Sequence, residues 1–78
     1  MNISEVQKLV ANMSGDILEA GNPKNQYWCI TYFEGGTRNE GIVMADIQTE
    51  AIIKIYKTLE YQDVLEIVLD IECELMDK

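Results

Sequence analysis

One stretch limits the fold of this chain more than any other. Residues 27–45 open with Tyr27-Trp28-Cys29-Ile30-Thr31-Tyr32-Phe33, pass through Glu34-Gly35-Gly36-Thr37-Arg38-Asn39-Glu40-Gly41, and close with Ile42-Val43-Met44-Ala45. β-Branched and aromatic residues suit a pleated, half-buried surface, and glycines supply the positive φ of a reversal. The stretch therefore reads as a β-hairpin with a long polar tip. Side chains alternate along a strand, so Trp28, Ile30 and Tyr32 share one face, and Tyr27, Cys29, Thr31 and Phe33 the other. The first set, with Ile42 and Met44 opposite it, is the expected core face. An isolated hairpin is not stable in water, so the remaining chain must cover it.

That remaining chain is short. Its 78 residues make a single domain, 1–78, with limited capacity to bury surface. The apolar fraction of 47% is sufficient for a packed core. No apolar run is long enough for a membrane span, and residues 1–13 hold Glu5 and Lys8 where a leader would be apolar. A cytoplasmic protein without a membrane partner is expected. Cys29 and Cys73 read as two reduced, buried small hydrophobes, with a disulfide as the alternative.

Around the hairpin, residues 2–13 read as an amphipathic helix with Ile3, Val6, Leu9, Val10 and Met13 on one stripe. Asn2 and Glu5 have capping-box spacing. Residues 16–20 form a weaker strand candidate, giving a three-stranded meander with the hairpin. Residues 46–60 read as a second helix with Ala51, Ile52, Ile55, Tyr56 and Leu59 inward, and Asp46 or Thr49 as the cap. Residues 61–76 carry two periodicities. Ile67, Leu69, Ile71, Cys73 and Leu75 alternate as in a strand, whereas Val64, Ile67, Val68, Ile71 and Leu75 share a helical sector. Leu and Glu content favours the helix. Glu72 alone sits awkwardly among its apolar positions. The expected fold is α+β, a three-stranded antiparallel meander with helices on one face in the order αβββαα, with αβββαβ as the alternative.

The chemistry is read largely from what is missing. There is no His, no serine in a nucleophile elbow and no phosphate-loop glycine motif. No enzymatic activity, cofactor or metal site is expected. Fourteen acids against six bases give a net charge of −8, which disfavours direct binding to nucleic acid. The charge suits a basic protein partner instead. From Glu60 to Asp77 there are seven acids and no base. On the helical reading Asp63, Glu66, Asp70, Glu74 and Asp77 fall in one narrow stripe, with an acid every ~5 Å.

The Met1-Asn2-Ile3 helix opening, the 27–45 hairpin, the helix from Asp46 and the acids of 60–77 together resemble the small phage-encoded anti-CRISPR proteins. In particular they resemble the αβββαα inhibitors of RNA-guided nucleases that imitate DNA. The resemblance implies a non-enzymatic inhibitor that occludes a basic nucleic-acid groove in a host cytoplasm. It also brings Glu34 and Glu40 of the hairpin tip to the contact surface with the C-terminal acids, while Arg38 departs from a purely acidic tip. The competing reading is a structural module that dimerises through the face bearing Tyr27, Cys29 and Phe33, or through Val43 and Ala45.

Overall fold

A computed structural model describes residues 1–12 and 23–76. The elements are α1 (Ile3–Ala11), β1 (Asn25–Phe33), β2 (Arg38–Ala45), α2 (Gln48–Tyr61) and β3 (Val68–Leu75), with short 3-10 turns at Glu34–Gly36 and Leu65–Ile67. The fold is α+β with a three-stranded antiparallel sheet, strand order β2-β1-β3. The strand candidate at 16–20 and Met13 of the expected helical stripe lie outside the described residues.

α1 begins as its sequence demands. The Asn2 side chain accepts from the Glu5 N–H at 2.9 Å, and the Glu5 carboxylate accepts from the Asn2 N–H at 3.1 Å. Two of the helix's unpaired N–H groups are thus satisfied reciprocally. Asn2→Ala is expected to destabilise the fold by about 1 kcal/mol, measurable as a lower denaturation midpoint at unchanged slope. The main chain of Met1 also caps the sheet: its carbonyl accepts from the Ile71 N–H at 2.9 Å. Its ammonium donates to the Ile71 carbonyl and to Asp70, each at 3.0 Å.

The hairpin is present, with a tighter tip than the polar run implies. The Phe33 N–H donates to the Thr37 carbonyl at 2.8 Å, and Gly35 and Gly36 turn the chain at φ 89 and 90. The strand therefore resumes at Arg38, and Asn39, Glu40 and Gly41 belong to β2. α2 starts without the side-chain cap expected from Asp46 or Thr49; Ile47 occupies the cap position. Glu50, in the first turn, instead accepts from the N–H of Asp46, which precedes the helix, at 3.0 Å. Glu50 is itself buried, with Lys54 at 3.3 Å. Lys54 also donates to the Met44 carbonyl at 2.7 Å, tying α2 to β2.

Two expectations are overturned. The first concerns 61–76, which is not a helix. α2 ends at Tyr61, Asp63 turns the chain at φ 62, and 68–75 is a strand paired with β1. The last α of the expected αβββαα order is therefore a strand, and the described elements run αββαβ. As a strand, 68–75 satisfies the second edge of β1 and delivers Ile71 and Cys73 to the core. A register shift beside Phe33 sets Val68 opposite it, so Val68 is buried while Leu69 is exposed.

The second concerns the sheet's faces. The core holds Tyr27, Cys29 and Phe33 with Ala45, Val68, Ile71 and Cys73, joined by Val6 from α1 and by Ala51, Ile52, Tyr56 and Leu59 from α2. The face expected to be buried is the open one: Trp28 is 37% exposed, Ile42 53% and Met44 40%. Tyr27, Cys29 and Phe33, offered from the sequence as a dimer surface, are buried within one chain; of the alternative pair, Ala45 is buried and Val43 half-buried.

Cys29 and Cys73 are also not free thiols. The register sets them directly opposite each other, Cα atoms 4.1 Å apart, and they are joined as a disulfide. The Met76 N–H donates to the Gln26 carbonyl. Counting along the ladder from that bond, 29 and 73 form a non-hydrogen-bonded pair, where opposed side chains come closest.

Candidate acidic interface

The open face of the sheet is three rows deep. Across β2, β1 and β3 the first row is Ile42, Trp28 and Glu74, the second Glu40, Ile30 and Glu72, and the third Arg38, Tyr32 and Asp70. Directly opposite side chains in such rows lie ~4.5–5.5 Å apart at Cβ. An aromatic and aliphatic ridge runs along the central strand, with the carboxylates of Asp70, Glu72 and Glu74 along the β3 margin and Arg38, Glu40 and Ile42 along the β2 margin.

Of the acids expected at a partner surface, the fold brings Glu40, Asp70 and Glu74 to this face. Glu34 is exposed in the hairpin turn, Glu60 lies on the last turn of α2, Asp63 follows it, and Glu66 is in the second 3-10 turn. These four do not join a stripe with Asp70 and Glu74, because no helix runs through 61–76. Asp77 lies outside the described residues. Glu72 was missing from the expected set, yet it stands between Asp70 and Glu74. Its awkwardness on the helical reading was the available signal, since in a strand it falls naturally on the wet face.

Local partners differ among these carboxylates. Glu40 pairs with Arg38 at 3.0 Å, Asp70 with the Met1 ammonium at 3.0 Å, and Glu60 with Lys57 at 3.8 Å. Glu72 and Glu74 make no ion pair among the described residues, and both are exposed. They line a cleft of about 520 Å³ with Met1, Trp28, Ile30, Gln48, Ile52, Ile71 and Cys73. Gln48 braces its wall by donating to the Cys73 carbonyl at 2.6 Å. Among the described residues, no group of three His, Cys, Asp or Glu side chains is disposed to hold a metal, and no helix is long and apolar enough to cross a membrane.

The fold and face together define a small α+β domain with an apolar, acid-rimmed open sheet. No family model matches the chain, and no match was found among curated proteins or solved structures.

Proposed function

We propose that the protein is a non-enzymatic acidic interaction module that occludes a basic surface of another protein. The observation that carries this reading is the juxtaposition of Glu40, Asp70, Glu72 and Glu74 on one exposed sheet face, on a chain of net charge −8. Like charges crowded on one surface disfavour the free state and favour a complementary potential. The resemblance to anti-CRISPR inhibitors gives the nucleic-acid groove of an RNA-guided nuclease as the candidate partner surface. Along β3 the acids recur every second residue, ~6.8 Å apart, about half the axial charge density of a single nucleic-acid strand. Imitation of DNA would therefore rest on the summed potential, not on matched phosphate positions.

The disulfide bears on where this activity operates. Such bonds persist in oxidising compartments and are reduced in the cytosol. Cytoplasmic residence would present Cys29 and Cys73 as thiols.

The test is Glu40→Gln, Glu72→Gln and Glu74→Gln combined, assayed for binding to a basic nuclease with duplex DNA as competitor. Parent protein should compete with DNA and weaken as salt rises. The neutral variant should bind about tenfold more weakly, since exposed ion pairs contribute roughly 0.2–1 kcal/mol each. Its stability should stay within about 0.5 kcal/mol of the parent. Equal occlusion by parent and variant would remove the reading.

A further inference from the structure

The acids explain attraction to a basic surface, but not why Trp28, Ile42 and Met44 stand exposed beside them, with Ile30 half-buried among them. Contiguous exposed apolar side chains mark interaction sites. Here the apolar part follows the central strand and the adjoining end of β2; the β3 margin carries Glu72 and Glu74, while on the β2 margin Glu40 is paired with Arg38 at 3.0 Å. The outer strands of a three-stranded sheet are about 10 Å apart, close to the diameter of an α-helix with its side chains. From Gln26 to Tyr32 the central strand extends about 20 Å, the length of roughly 13 helical residues.

We infer that this face is the docking site for an amphipathic helix of the partner, its apolar stripe seated on Trp28, Ile30 and Ile42. Lys or Arg residues on one flank meet Glu72 and Glu74, which make no ion pair among the described residues, while polar residues on the other meet the Arg38–Glu40 pair. The inference rests on the acidic-module reading and specifies the partner's shape. A second copy of this chain is a poorer occupant. A two-fold face-to-face dimer is self-complementary, and where it stacks β3 on β3 it brings Glu72 and Glu74 against the same acids of the other copy. Like charges directly opposed destabilise such contacts. Charge complementarity selects a basic helix over a copy.

The experiment uses the intact chain and synthetic 14-residue helical peptides carrying a leucine stripe, flanked by Lys in one and by Glu in the other. Trp28 is the only tryptophan, so its emission reports on this face alone. The Lys-flanked peptide should shift the emission to shorter wavelength and bind at least tenfold more tightly than the Glu-flanked one. Ile42→Ser, on a side chain 53% exposed, should weaken that binding about tenfold while leaving the fold intact; Glu72→Gln with Glu74→Gln should do the same. Unchanged Trp28 emission, equal binding of both peptides, or a concentration-dependent blue shift of the protein alone would each overturn the inference. Polylysine separates the two readings. Salt-sensitive binding of polylysine with no response to the helical peptide would leave the acidic module standing and remove the docking site. Absence of both would remove both.

Discussion

Reducing Cys29–Cys73 is expected to lower stability by about 4 kcal/mol. The bond closes a loop with a sequence separation of 44 residues, and the loop-entropy relation assigns roughly that amount to a ring of this size. A domain this small has a total stability on the order of 4–12 kcal/mol, so the bond is a large share of it. The melting midpoint should fall by on the order of 20 °C in reductant. The bond joins β1 to β3, two strands distant in sequence. Intact mass before and after reduction, with thiol titration of the native protein, checks the premise: two hydrogen atoms gained and no titratable thiol beforehand. Native protein with two reactive thiols and an unchanged midpoint in reductant would refute it.

The second large effect is an inversion between neighbouring aromatics. Phe33→Ala should cost about 3–5 kcal/mol, because Phe33 is buried in the cluster with Val68 and Leu59 and truncation leaves a cavity. Trp28→Ala should cost about 1 kcal/mol or less, because the side chain is 37% exposed and stands on the open face. From the sequence alone, Trp28 would carry the larger loss. Denaturant melts of the two variants decide between the arrangements, and Trp28 emission in the native parent should already be partly solvent-like.

That inversion shows what the sequence could and could not disclose. The division of β1 into two faces was legible, because alternation is a property of any strand. Which face is wet was not, since Trp28, Ile30 and Tyr32 are as apolar as Tyr27, Cys29 and Phe33. The deciding information lay in another strand. In β3 the alternation places Asp70, Glu72 and Glu74 on one side and Ile71 and Cys73 on the other, and pairing with β1 assigns the acids to the side of Trp28. Reading 61–76 as a helix discarded that clue, so the two errors are one. The Asn2 and Glu5 cap, the hairpin and the α2 stripe were legible because each rests on neighbours in sequence. The partnership of Cys29 and Cys73 was not, because it depends on a register set between distant strands. Three of the expected surface acids, Glu40, Asp70 and Glu74, reached a common face, though through β pairing and not through a helical stripe.

The strand order has a consequence for how the chain acquires its structure during synthesis. β1 and β2 are adjacent in sequence and can close as a hairpin early, but the partner on the other side of β1 is β3, made last among the described elements. Until residue 75 has been made, Tyr27, Cys29 and Phe33 lack Val68, Ile71 and Cys73, and the central strand keeps an open edge. Such an intermediate exposes both a hydrophobic surface and an unpaired strand, the two features that promote association of nascent chains. Long-range pairing of this kind also slows folding relative to local contacts. The acids of β3 therefore arrive together with the strand that ends this exposure.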